Sequence, residues 1–175
     1  AVVTVAAAII SSGCVIRRPL DDLPLAGFTR TVEDGGAFRH LVLFRPGDGD
    51  RLHVYIEGDG RPWLSPGRVA LDPVGSRLWM LELALLDPAP VLYVGRPCYF
   101  VDDPACTPEW WTFRRYAPAV VDSLAAVIRR RSEGYEALAL FGHSGGGTLA
   151  MLLTPALASA TLATPAPAGE IPATL

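Results

Sequence analysis

The period of apolar positions changes several times along the chain, and each change marks an element. Residues 1–10 are an apolar run with Thr4 within it. Residues 38–45 alternate weakly and contain the strand formers Leu41, Val42, Leu43 and Phe44. After a polar turn at residues 46–50, residues 51–57 put Leu52, Val54 and Ile56 on one face. The two runs predict an antiparallel N-terminal strand pair joined by that turn. Residues 61–72 carry no period. Val74, Leu78, Leu81 and Leu85 recur at helical spacing, which predicts a helix over 74–86 that ends at Asp87-Pro88. Residues 91–94 are continuously apolar, as in a buried parallel strand. Phe113, Tyr116, Ala117, Val120, Val121, Leu124, Val127 and Ile128 form one stripe and predict a helix over 113–131. Pro118 marks the first turn of its main part, and Arg129, Arg130 and Arg131 form a solvated cap at its far end.

A last apolar run, residues 138–141, stops at Gly142 and gives way to good helix formers. From Arg51 onward the order is strand, helix, strand, helix, strand, helix. That alternation predicts an α/β fold, a mostly parallel sheet with helices on both faces and right-handed crossovers. Residues 154–175 are Ala, Pro and Thr with almost no charge and no sustained period, so an irregular tail is expected. The expected divisions are a signal-peptide remnant at 1–14, a lead-in linker at 15–37, a core at 38–153 and the tail at 154–175.

The junction at Gly142 carries the candidate chemistry. Gly142-His143-Ser144-Gly145-Gly146 fits G-x-S-x-G between a strand and a helix. A serine on so tight a turn has a strained backbone, and side chains at the flanking glycines would crowd it. The following helix aims free N–H groups and a positive dipole end at the place where an oxyanion would form. Two other readings stand beside a nucleophilic Ser144: a glycine-rich turn with an idle serine, and a phosphate cradle. The cradle lacks the P-loop lysine, and the chain contains no lysine. Glu57-Gly58-Asp59-Gly60, after an early strand, is a second glycine-rich loop whose N–H groups could face an oxyanion; its alternative is a plain turn.

Composition narrows the class. With 175 residues, half of them hydrophobic, the chain has enough length for one domain with a proper core. A net charge of -3 and the lack of a basic face argue against a nucleic-acid partner. The apolar opening is too short to span a bilayer but suits a signal-peptide core. Ser11-Ser12-Gly13-Cys14 follows it, resembling a bacterial lipobox with Cys14 as the lipidated residue. A simple cleaved signal or an ordinary apolar N-terminal strand are the other possibilities. Cys98 and Cys106 lie eight apart in a loop-like stretch, and in an oxidising compartment such a pair reads as a local disulfide. Two cysteines with no nearby histidine make a poor metal site, so no metal is expected. Trp110 and Trp111 could pack in the core or line a cleft.

Taken together, the chain resembles the α/β-hydrolase superfamily, and within it the bacterial lipoprotein-type serine hydrolases. The likeness rests on Tyr55-Ile56-Glu57-Gly58-Asp59-Gly60, Gly95-Arg96-Pro97-Cys98, Trp111-Thr112 with Arg115-Tyr116, and Gly142 to Gly146. It covers about residues 38–153. It implies a partial α/β-hydrolase fold, Ser144 as nucleophile, and an oxyanion hole of the Gly145 N–H with one from Gly58, Asp59 or Gly60, foremost Asp59. It also implies an exported protein of the cell envelope or medium that acts on esters or related acyl compounds without a cofactor.

The chain departs from that family at the base. The family order is serine, then acid, then histidine. After Ser144 there is no histidine, and Glu170 is the sole acid. His143 adjoins the serine, with its side chain expected to point away. His40 and His53 read as strand or surface residues. A chain incomplete at both ends, with weak or no activity of its own, is therefore expected. The contrasting expectation is a non-catalytic, lipid-anchored binding or scaffold protein that kept the fold.

Overall fold

The computed structural model describes Leu20 and residues 23–161. It is a mixed α/β fold. One sheet contains β1 (Thr29–Asp34), β2 (Arg39–Arg45), β3 (Arg51–Ile56), β6 (Val91–Val94) and β7 (Ala137–Gly142), in the order β1-β2-β6-β3-β7. The hairpin β4 (Trp63–Ser65) and β5 (Arg68–Val69) stands apart from it. The helices are α1 (Trp79–Leu86), α2 (Pro118–Arg131) and α3 (Gly145–Thr161).

The sheet is mixed, not mostly parallel. β2 runs antiparallel to β1 and to β6, whereas β3 runs parallel to β6 and to β7. The antiparallel pair predicted between β2 and β3 does not form, because β6 lies between them. The partner of β2 is instead β1, inside the stretch expected to be a linker.

Side-chain alternation sorts the core into two layers. Leu52, Val54 and Ile56 of β3, with Val42, Leu92 and Val94, meet Val120, Leu124, Val127 and Ile128 of α2 and Leu149 and Leu153 of α3. On the other face Leu41, Leu43, Tyr55, Val91 and Tyr93 meet Leu81 and Ala84 of α1. Each fully buried Leu, Ile or Val contributes roughly 1.5–3 kcal/mol relative to exposure. Helices on both faces, as expected, follow from an apolar content that serves both sides of the central strands.

Three helix boundaries differ from their predicted places. α2 starts at Pro118, not at 113, because a residue before proline is driven out of the helical region; Ala117 is extended, with φ -62 and ψ 153. Phe113, assigned to its stripe, is exposed. α1 starts at Trp79, not at 74: the Pro73 carbonyl accepts the Arg61 N–H, and Gly75 packs against Gly60, which holds this segment off the helical path. α3 continues through Pro155 to Thr161, so residues 154–161 are helical where a tail was expected. Its buried Leu149 and Leu153 and the packed Ala156 and Leu157 keep one face turned to the core across the proline. The arginines cap the end of α2, Arg129 and Arg130 exposed as expected, and they also tie it down: Arg131 pairs with Glu33, Arg130 donates to the Asp34 carbonyl, and Arg129 donates to the Ala156 carbonyl at 2.6 Å.

Trp111 is buried and donates to the Ala70 carbonyl at 3.0 Å, and Trp110 packs edge-on against Phe38. Core packing is thus the role of both. Among the described residues no helix is long and apolar enough to cross a membrane. The expected lipobox at Cys14, the signal remnant and Glu170 lie outside the described residues.

Candidate functional site

β3, β6 and β7 end side by side, and from β3 the chain leaves to β6 on one side while β7 lies on the other. Open α/β sheets form clefts outside the carboxyl ends of strands that diverge in this way. The two glycine-rich loops meet in this cleft.

Close approach dictates the turn after β7. A Cβ on Gly142 would fall 2.3 Å from the Gly146 carbonyl carbon, and one on Gly146 would fall 2.2 Å from the Ile56 carbonyl oxygen. Neither site accepts a side chain. Between them Ser144 has φ 52, a left-handed conformation that a non-glycine residue adopts at a cost of roughly 1–2 kcal/mol. The turn is held by Gly146 N–H donating to the His143 carbonyl at 2.8 Å and Gly147 N–H to the Ser144 carbonyl at 2.9 Å. Gly145 opens α3, and its N–H is one of the donors that a helix start leaves without an intrahelical partner.

Ser144 is exposed on the wall of a cavity of about 310 Å³. The cavity is lined by residues 57–61 and 74–79 with Tyr99, Phe100 and His143. Gly58 brings the two loops together: a Cβ there would lie 3.1 Å from the His143 carbonyl and 3.6 Å from Ser144 Cβ. The His143 Nδ1 lies 3.3 Å from the same point, and His143 and Ser144 both line the cavity. Neither the Asp59 N–H nor the Gly145 N–H has a protein acceptor among the described residues.

The acids of the site are already engaged. Glu57 is buried and accepts the Leu81 N–H at 2.9 Å, capping α1 from outside its own chain segment. Burial raises its pKa, and the N–H groups of Leu81, Met80 and Gly58 oppose that rise only in part. Asp59 accepts from Arg96 Nη1 at 2.5 Å and faces Arg115 Nε at 3.1 Å; the Tyr116 hydroxyl lies 2.9 and 2.7 Å from its two carboxylate oxygens. Partial burial pushes the Asp59 carboxyl up, but the Tyr116 hydrogen bond and the Arg96 and Arg115 charges outweigh it and hold the pKa below the usual value. Arg96 and Tyr116, quoted in the sequence only as points of family likeness, therefore converge on the loop beside Ser144.

The other histidines lie elsewhere. His40 is fully buried and lies 2.7 Å from Ser123 Oγ and 2.9 Å from the Gly95 carbonyl, a structural role for what read as a strand or surface residue. Burial lowers its pKa, against the backbone hydrogen bond to Gly95. His53 contacts Asp87 Oδ2 through Nδ1 at 2.6 Å, and the Tyr55 hydroxyl donates to the same oxygen at 2.6 Å. This histidine–carboxylate pair lies toward the amino end of β3, where His53 stands opposite Ala139, whereas Ile56 stands opposite Gly142 at the cleft. It is on the strand of Ser144's neighbour but about 10 Å down it, at some 3.3 Å per residue. Cys98 and Cys106 form a disulfide. Among the described residues no group of three His, Cys, Asp or Glu side chains is placed to hold a metal.

No protein-family model matches the chain, and no curated protein matches it.

Proposed function

We propose that Ser144 is the nucleophile of an acyl-transfer site, acting on esters or related acyl compounds, in a partial α/β-hydrolase fold. The observation that carries the reading is the backbone of Ser144. A left-handed serine between two glycines that admit no side chain, at the end of a parallel strand, with its side chain on a cavity wall, is strain without a structural use. A serine hydrolase uses that geometry.

In this reading Ser144 Oγ attacks the acyl carbonyl carbon, and the N–H groups of Gly145 and Asp59 receive the oxyanion. The tetrahedral adduct collapses to an acyl-serine as the protonated alcohol leaves, and water then releases the acid. The Ser144 proton needs an acceptor. Among the described residues the imidazole on this cavity is that of His143, and His53 lies three residues before Ile56, about 10 Å down the strand. Both acylation and release of the acid are therefore expected to be slow in this chain, with the residual rate carried by the oxyanion donors. Among the described residues no histidine–carboxylate pair lies beside Ser144, which favours the second reading, a binding or scaffold protein with the same fold.

The same proposal includes export, with Cys14 as a lipid anchor. The Cys98–Cys106 disulfide supports it, since such bonds persist in oxidising compartments. It names a small acyl substrate as partner and no nucleic acid.

A fluorophosphonate probe separates the readings. The enzyme reading expects a single adduct whose formation is abolished in Ser144→Ala. A His143→Ala variant should label much more slowly than the parent if the His143 imidazole accepts the Ser144 proton, and as fast as the parent if it does not. Equal labelling of the parent chain and Ser144→Ala would leave the binding reading.

A further inference from the structure

We infer that Arg96, Arg115 and Tyr116, braced by the Cys98–Cys106 loop, form a clamp on Asp59 that positions its N–H beside Ser144. The inference rests on the Ser144 reading, and it makes these three positioning residues.

Asp59 has glycine on both sides, and Gly60 is left-handed with φ 62. Such a loop has no stiffness of its own. What holds it is the side chain of Asp59, gripped by residues far away in sequence. Arg96, just past β6, has a side chain only 1% exposed, and its guanidinium lies 5.0 Å from the Tyr99 ring and 5.7 Å from the Tyr116 ring. Tyr99 adds a hydrogen bond to the Asp59 carbonyl at 2.9 Å, so the loop is gripped through backbone as well as side chain. The disulfide closes the loop that carries Tyr99, immediately after Arg96-Pro97. Arg115 and Tyr116 come from the segment ahead of α2, where Arg115 Nη1 donates to the Thr112 carbonyl at 2.5 Å.

The grip is aimed at the turn. A Cβ on Gly145 would fall 2.0 Å from Asp59 Oδ1 and 2.5 Å from the Tyr116 hydroxyl. The carboxylate and phenol thus press directly on the residue after Ser144 and set the distance between the two candidate donors. Charge points the same way. The two guanidiniums more than offset the Asp59 carboxylate, the sign that favours an oxyanion at this loop. A carboxylate at the same place without its arginines would oppose one.

The test uses the 175-residue chain, Arg96→Gln, the milder Tyr116→Phe, and Arg96→Lys. Backbone ¹⁵N relaxation reads the loop, and fluorophosphonate labelling at varied probe concentration reads the site. The clamp predicts rigid Asp59 and Gly60 amides in the parent, with order parameters of about 0.85, falling toward about 0.6 in Arg96→Gln and Tyr116→Phe while β3 and β6 stay rigid. It predicts a saturating labelling rate about 10- to 100-fold lower with the half-saturating probe concentration little changed, and partial recovery in Arg96→Lys. Reduction of the disulfide should move both readouts the same way by less. Unchanged order parameters at Asp59 and Gly60, or loosening spread evenly over the sheet, would overturn the clamp. So would an unchanged labelling rate with Ser144-dependent labelling intact. Parent labelling no faster than Ser144→Ala would instead bring down the nucleophile reading, and the relaxation data alone would then uphold or overturn the hold on the loop.

Discussion

The two ends of β3 hold similar chemistry in different states. At the carboxyl end Asp59 is held by Arg96, Arg115 and Tyr116 beside an exposed serine. Further down the strand Asp87 is held by His53, in its amino half, and by Tyr55, one residue before Ile56, with Phe141 stacked on Tyr55 at 4.8 Å. One region has an exposed serine and a carboxylate paired with two arginines; the other has an imidazole–carboxylate pair. Residue types alone would assemble a triad from Ser144, His53 and Asp87, and strand register forbids it. The ends also differ in burial. The Arg96 side chain is 1% exposed, whereas His53 is 24% exposed. The cation of the first tie is anchored in the interior and the imidazole of the second is partly open to water, so the two partners should differ in worth.

The largest contrast is expected at glycines. Gly146→Ala puts a Cβ into the Ile56 carbonyl and should destabilise by about 3 kcal/mol or prevent folding, as forced overpacking does. Gly49→Ala, near the amino end, meets only the Pro90 ring at 3.1 Å and should cost under about 1 kcal/mol. Urea midpoints of the two variants measure the difference, and equal losses would erase the distinction between the ends.

A smaller contrast is expected at the cations. Arg96→Gln removes a buried partner and should cost about 3 kcal/mol, because breaking a buried pair leaves charge uncompensated. His53→Gln removes a partly exposed imidazole, leaves Tyr55 on Asp87, and should cost no more than about 1 kcal/mol. A double-mutant cycle with Asp59→Asn and Asp87→Asn isolates the pairwise part.

The smallest effect lies in acid, where the ends should behave alike. Burial pushes both carboxyls up, but hydrogen bonds and charge, led by Tyr116 for Asp59 and by Tyr55 and His53 for Asp87, hold both below the usual value. Their contribution is present above the unfolded carboxylate pKa of about 3.9 and is lost as pH falls through the folded values. Stability measured from pH 5 downward should fall less steeply in Asp59→Asn and in Asp87→Asn than in the parent. An acid profile indifferent to both substitutions would contradict the shifts.

Much of this was legible locally. Residues 91–94 form a strand with every side chain buried, as a continuous apolar run demands, and the junction at Gly142 is a strand–turn–helix. Pro118 starts its helix. What escaped was set by distant partners. β1 has Val32 as its lone large apolar residue, itself exposed, so an edge strand left no alternation to read. The order of β2, β6 and β3 follows from a strand some forty residues downstream, beyond any local period. The start of α1 depends on Glu57, and the helical end of α3 on packing that continues past Pro155. At the site the residues of both loops stood out, because glycine and serine patterns are local. Their ties did not: Arg96 is 37 residues from Asp59 and Tyr116 is 57.

The most direct measurement is peptide mapping of the fluorophosphonate adduct on the native 175-residue chain. The account predicts one adduct, on Ser144 and not on Ser132 or Ser159 of the same arginine-bounded peptide, lost when the protein is unfolded in urea before labelling. No adduct, an adduct shared among these serines, or one that survives unfolding would contradict a nucleophile made by the fold.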